Sequence, residues 1–199
     1  DSLTNAYYRA RRQVMESPDL TSSCLELARK KGTRLAEKYF PGSIVDDYGL
    51  QFRRLAEELE EDSGLNCSDL CGMGLDQLPG ELGSLLVTEL GLRASRLGRK
   101  GFSNLARLLW LQTGDELWRD HICEQREMML NAHLSDHGHK AAVADYVIHS
   151  YRAWQAFRGR VTDLFLSRVL TFPIVEPGKG RPKPAARVHL VEDAALILA

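Results

Sequence analysis

The chain has 199 residues, is 44% hydrophobic and 27% charged, and carries a formal net charge of -1. That composition is of a soluble globular kind with room for one domain or two small ones, and it exerts no global electrostatic pull toward nucleic acid or an anionic membrane. No apolar run approaches the ~20 residues a membrane-spanning helix needs, and no signal peptide is visible.

Residue 1 is Asp and already lies in a helical pattern, so the sequence reads as a piece of something longer. Residues 3–16 are charged and helix-forming (Tyr7, Tyr8, Arg9, Arg11, Arg12, Val14, Met15), and Ser17-Pro18-Asp19 ends them, with Ser17 or Asp19 able to cap the next helix. Leu20, Cys24, Leu27, Leu35 and Tyr39 recur at near-helical spacing as far as the stop at Phe40-Pro41-Gly42. A shorter helix comes after it. It carries Leu50, Phe52, Leu55 and Leu59 on its apolar side and Arg53, Arg54, Glu57, Glu58, Glu60 and Glu61 outside, which reads as a solvated face.

Residues 62–80 hold Gly64, Gly72, Gly74, Pro79 and Gly80 and predict irregular structure. The leucines from Leu82 to Leu97 predict a helix over 81–98, terminated by Gly98 and Gly101. Arg93, Arg96, Arg99 and Lys100 at its end suit a helix C-terminus. They could also meet a phosphate or an acidic partner, but they lack interleaved aromatics, and nucleic-acid binding is not expected.

Two long apolar stripes come next. Leu108, Leu111, Trp118, Ile122, Gln125 and Met129 form one; Val143, Tyr146, Val147, Trp154, Phe157, Val161, Leu164 and Phe165 form the other. A turn-like stretch around Asp136 to Gly138 joins them, so they must fold face to face into an antiparallel hairpin. After Phe172, the segment Pro173 to Pro184 reads as a basic extended linker, succeeded by an apolar tail at 185–199 with no clear place in the hairpin. The fold class expected is all-α.

Signals for chemistry are sparse. Cys24, Cys67, Cys71 and Cys123 are scattered, with only a C-x3-C pair and no second pair, so they read as reduced thiols instead of a zinc site. His133, His137 and His139 form H-x3-H-x-H, but Gly138 and the turn spoil the geometry and no metal is expected. No G-x-x-x-x-G-K-[ST] loop occurs, since Gly98-Arg99-Lys100-Gly101 lacks both spacing and hydroxyl. No nucleophile set is recognisable, and the chain by itself is not expected to hydrolyse anything.

One run is specific. Leu111-Gln112-Thr113-Gly114-Asp115-Glu116-Leu117-Trp118-Arg119-Asp120-His121-Ile122 resembles the LQTxDxLWRDHI hallmark of the helical scaffold domain of SecA, the ATP-driven motor family of bacterial preprotein export. Phe40-Pro41-Gly42-Ser43 through Leu50-Gln51 resembles the family's wing segment, His133-Leu134 the start of its fingertip, and Asp145-Tyr146 its Glu-Tyr pair. The resemblance implies the end of a long scaffold helix at 1–16, a helical wing at 17–101, a scaffold with a two-helix finger at 102–172, and a linker and tail at 173–199.

It further implies a scaffold motif at Leu111, Asp115, Trp118, Arg119 and His121, with Trp118 and Ile122 buried. Asp115, Glu116, Arg119, Asp120 and His121 would lie on flanking faces, where a charged seam could meet a motor domain. A fingertip at His133, Leu134, Ser135, Asp136 and His137 would contact a polypeptide or a channel. The implied partners are the protein's own motor domains, an unfolded preprotein and a SecY-type membrane channel, and a homodimer is allowed. ATP and magnesium would belong to those motor domains, with no cofactor in this stretch. Localisation would be cytoplasmic and peripheral to the inner membrane.

The sequence also departs from the pattern. Ser135-Asp136-His137 stands where the family's fingertip has Arg-Gly-Tyr, and Val147-Ile148 where basic residues come after Glu-Tyr. Arg126 stands at an acidic position, and residues 173–199 do not resemble the family's cysteine-rich zinc tail. The resemblance is therefore to a divergent or accessory member. The rival reading is a stand-alone helical interaction or adaptor module without a motor.

Overall fold

Apolar residues at helical spacing produce helices throughout the residues described by the computed structural model, namely 2–42, 47–134 and 139–174, with backbone alone described at 131–134 and 139–145. The helices are α1 (Ser2–Glu16), α2 (Thr21–Tyr39), α3 (Tyr48–Ser63), α4 (Leu78–Leu134) and α5 (His139–Thr171), with a single 3-10 turn at Ser68–Leu70. No strand occurs among the described residues, in agreement with the all-α expectation.

The helix boundaries have local causes. At the start of α2 the Asp19 carboxylate accepts the Thr21 amide at 2.8 Å, which makes Asp19 the residue that satisfies the orphan donor there. Asp47 caps α3 by accepting from the Leu50 amide, and Gly64 ends that helix in the left-handed conformation with φ 69°. The irregular stretch is thus shorter than 62–80. Residue 63 is still helical and α4 already begins at Leu78, since Pro79 is tolerated in a first turn where its missing N–H has no partner to lose.

Helix α4 runs for 57 residues but is two arms, because Gly98 sits at φ 69°, ψ 158°, a region essentially restricted to glycine. The sequence placed termination at both Gly98 and Gly101. Only Gly98 breaks the helix; Gly101 is helical, inside the second arm.

The main core lies between α2, α3, the first arm of α4 and the C-terminal third of α5. Ala28, Leu35, Leu55, Leu59, Leu82, Leu86 and Leu90 meet Phe165, Leu166, Val169 and Leu170 there. At its tightest point α2 and α4 cross backbone to backbone. A Cβ on Gly32 would lie 2.3 Å from the Gly83 nitrogen, and one on Gly83 would lie 3.3 Å from the Arg29 Cα. Beneath the same core Lys31 is buried, and its ammonium reaches Asp62 on α3 at 2.6 Å. Leu50, assigned to the apolar side of α3, is exposed, and Phe52, Leu55 and Leu59 carry that face.

The second arm of α4 and α5 form the expected antiparallel hairpin. Thr113 meets Arg168 near one end, and Gln125 meets Ser150 toward the other. The buried stripe on α4 is Phe102, Leu105, Ala106, Leu109, Thr113, Trp118 and His121, rotated from the one predicted. Leu108 and Met129 are exposed, as is Val147 on α5. A stripe read at fixed spacing has no means of choosing between adjacent leucines such as Leu108 and Leu109. Residues 135–138 of the turn and the 175–199 tail lie outside the described residues.

Candidate functional site

Trp118 is the largest side chain in the motif run, and three helices converge on it. Its ring stacks on Tyr7 of α1 with centroids 4.4 Å apart and planes 9° from parallel. Phe157 and Trp154 of α5 approach it edge-on at 5.6 and 6.3 Å. Edge-to-face and offset contacts of this kind add stabilisation beyond area alone. Tyr7, Trp118, Phe157 and Val161 form a second buried cluster, separate from the main core. Trp118 is therefore the buried anchor the sequence pointed to. Its partner Tyr7 was not foreseen, because a lone tyrosine on a charged helix carries no sign of what it will face.

Polar groups complete the junction. Asp115 accepts hydrogen bonds from the Tyr7 hydroxyl at 2.5 Å, from Arg11 Nε at 2.9 Å and from Arg11 Nη2 at 3.1 Å. This two-pronged guanidinium contact holds the Asp115 carboxyl below its ordinary range, with the Tyr7 hydroxyl adding to the effect. Burial, and then the hydrogen bond and charge of Asp115, push the Tyr7 phenol above its usual value, so it stays protonated and donating. One turn further along α1, Arg107 of α4 donates to the carbonyls of Val14 at 3.2 Å and Ser17 at 2.6 Å, capping the end of the helix.

Other polar groups of the motif also meet the neighbouring helix. Arg168 of α5 bonds Thr113 Oγ1 at 2.9 Å and Glu116 at 2.8 Å. His121 is 1% exposed, stacked on Phe157 at 4.9 Å, and neither ring nitrogen has a hydrogen-bond partner. Its burial lowers the imidazole pKa, Glu124 raising it and Arg160 lowering it further. Of the five side chains expected on flanking faces, His121 is corrected to a buried position. Asp115 and Glu116 tie α4 to α1 and α5 while Glu116 stays exposed, as do Arg119 and Asp120, and His121 packs among the aromatic rings. Leu111 is half-buried.

A groove of about 380 Å³ opens beside this junction, lined by Ser2 to Thr4 of α1, by Trp118, His121, Ile122 and Gln125 of α4, and by Tyr146, Val147, Ser150 and Tyr151 of α5. Of the fingertip residues, Ser135, Asp136 and His137 fall outside the described residues, and His133 and Leu134 are described as backbone only.

The basic cluster is partly spent within the fold. Arg93 pairs with Glu89 at 2.9 Å and donates to the carbonyl of Phe172 at 2.8 Å. Arg99 binds Asp19 at 2.6 Å, and that carboxylate also accepts from Ser103, whose hydroxyl receives the Leu20 amide. The Thr21 amide first, then Arg99 and Ser103, keep the Asp19 carboxyl far below its ordinary range. No group of three or more His, Cys, Asp or Glu suited to a metal occurs among the described residues, and none of their helices is long and apolar enough to cross a membrane.

Comparison with known proteins gives this geometry a context. The chain is 25% identical over 179 residues to the protein translocase subunit SecA of Pelotomaculum thermopropionicum, covering 87% of this chain and 20% of that protein. It is 20% identical over 185 residues to the SecA subunit of Elusimicrobium minutum, covering 90% of this chain and 21% of the relative. For the SecA of Burkholderia orbicola strain MC0-3 the identity is 21% over 183 residues, covering 85% of this chain and 19% of the relative. The chain therefore spans about a fifth of the length of these relatives. A family profile described as the SecA Wing and Scaffold domain matches residues 4–172, a span that holds all five helices apart from the first two residues of α1, and the chain belongs to that family.

Proposed function

We propose that this chain is the force-transmitting wing and scaffold of a SecA-type protein translocase, carrying motion from an ATP-driven motor to a polypeptide in transit. The observation that supports the reading is the three-helix junction at Trp118. A lever must resist bending, and here an aromatic stack and a carboxylate–guanidinium pair fix α1 to the hairpin at the root of its arms. Helix α5 alone, with 33 residues, is an arm of roughly 50 Å at ~1.5 Å per residue. In this reading residues 1–16 end the scaffold helix, 17–101 form the wing, 102–172 form the scaffold and finger, and 173–199 form a linker and tail.

The tip at His133 to His137 would approach the preprotein or a SecY-type channel, at the cytoplasmic face of the inner membrane. ATP and magnesium would be held by motor domains, and this chain's helices would take no part in their chemistry. The departures at the tip and at Val147-Ile148 favour an accessory role over housekeeping export.

The test is made in the complete protein. Its ATPase should be stimulated by an unfolded preprotein together with the channel, and Trp118→Ala should lower preprotein transport at least tenfold relative to ATP hydrolysed. A protein whose ATPase ignores both ligands sinks the reading. So does a gene that starts just before residue 1 with no motor encoded upstream, which would leave a stand-alone adaptor.

A further inference from the structure

We propose that His121 is a proton-operated latch: the neutral imidazole closes the junction, and its protonation releases α1 from the hairpin. The inference does not rest on the translocase reading, and its readout is local opening, not transport.

The geometry carries the argument. His121 is enclosed by Phe157 at 4.9 Å, Trp118 at 5.4 Å and Trp154 at 5.9 Å, a cage of aromatic faces with no acceptor for a second N–H. Both ring nitrogens lack partners, as does Nε2 of the neighbouring Gln125, whose Oε1 is taken by the Ser150 hydroxyl at 2.6 Å. A neutral ring leaves one N–H unpaired in this cage; a cationic ring leaves two, and its charge must acquire an acceptor or water.

The groups around it decide what yields. Glu124 of α4 and Arg160 of α5 are the charges that act on the ring, and they bind each other at 3.2 and 3.3 Å; Tyr146 and Tyr151 of α5 line the groove beside it. From α1 the titratable groups of the cluster are Tyr7 and Tyr8, with Tyr7 committed to Asp115. Protonation therefore adds a positive charge beside Arg160, with one carboxylate to serve two cations.

Solvent is close, because the groove bounded by Ser2, Leu3 and Thr4 reaches the imidazole. The hairpin helices cannot part easily, since α5 is buried in the main core through Phe165, Leu166, Val169 and Leu170. Helix α1, by contrast, buries only Tyr7. It borders the groove beside the ring and is held to α4 chiefly through Tyr7 and Arg11 on Asp115 and through Arg107, so lifting its first turns admits water to the ring.

The burial-depressed pKa agrees in sign. A histidine that resists protonation when folded lends stability above its unfolded value near ~6.5, and that stability is lost as pH falls below it.

Hydrogen exchange of the 199-residue chain, corrected for intrinsic rates, tests this at pH 7.5 and pH 5. Amides of α1 should exchange at least tenfold faster at the lower pH, while those of α2 and the first arm of α4 change less than twofold. In His121→Phe, which keeps an aromatic ring in the cage, and in His121→Gln, which keeps a neutral polar group, the α1 effect should vanish. His149→Gln should retain it, because His149 is exposed. Equal α1 protection at both pH values in the parent chain overturns the proposal, and that result would mean Glu124 turns to accept the new proton in place. Persistence of the effect in His121→Phe, or its loss in His149→Gln, overturns it equally.

Discussion

The leucine core around α2 and the first arm of α4 and the aromatic junction at Trp118 solve the same problem by different means. The first buries many interchangeable aliphatic groups, with Leu55, Leu59, Leu82, Leu86 and Leu90 fully enclosed, and adds one backbone crossing at Gly32 and Gly83. The second buries few residues, each with a designated partner. A core of the first kind tolerates exchange of one aliphatic residue for another of equal volume. A junction of the second kind has high specificity and little redundancy, so one change can detach a helix while the rest stays folded.

The sharpest way to break that contrast is Trp118→Ala. Removing a buried tryptophan costs ~3–5 kcal/mol. Here the loss should be regional, with hydrogen exchange of α1 and of the hairpin near Phe157 rising by orders of magnitude while α2 and α3 keep their protection. Uniform loss of protection across all five helices would show that the two clusters form a single cooperative unit.

Gly32→Ala probes the other side at somewhat smaller cost. Its methyl would enter the Gly83 backbone, so the helices must separate, at about 2–3 kcal/mol by analogy with overpacked cores. The loss should appear in urea denaturation of the whole domain. Gly83→Ala, with its nearest obstacle at 3.3 Å, should be milder.

The smallest effect belongs to Asp115→Asn. Asp115 is about half exposed, so solvent screening holds the loss near ~1 kcal/mol despite its two-pronged arginine contact. The sign in pH is fixed by the depressed carboxyl. Asp115 contributes stability above its unfolded value near ~3.9, and the contribution disappears as pH falls through the folded one. Thermal melts of the parent and the variant should therefore converge in acid; a constant gap down to the lowest folded pH would show that shape, not charge, holds α1.

Much of this architecture was legible in the sequence because apolar periodicity reports which residues seek a core. The hairpin, the helix break at Gly98 and the burial of Trp118 all came from spacing or from the motif run. What periodicity lacks is the identity of the partner across the interface. It therefore had no way to pair Tyr7 with Trp118, Asp115 with Arg11 or Glu116 with Arg168, or to choose Leu109 over Leu108. Gly32 attracted no notice because a glycine inside a helical pattern looks like a weak point until the second glycine that meets it is known. Gly101 was misread for the related reason that composition alone does not distinguish a glycine with left-handed backbone from one that continues the helix. The fingertip at residues 133–137 rested on family likeness alone.

The break at Gly98 has one more consequence. Because the two arms of α4 join through a single residue and no loop, their rotational phase is locked. Each residue of a helix advances it by about 100°, so one insertion or deletion on either side of Gly98 would swing Trp118 and His121 out of the face they share with α5, relative to Leu86 and Leu90. Point substitutions can be absorbed locally; a change in length between Leu90 and Trp118 cannot, and Gly98 acts as the index mark that keeps two cores in time with each other.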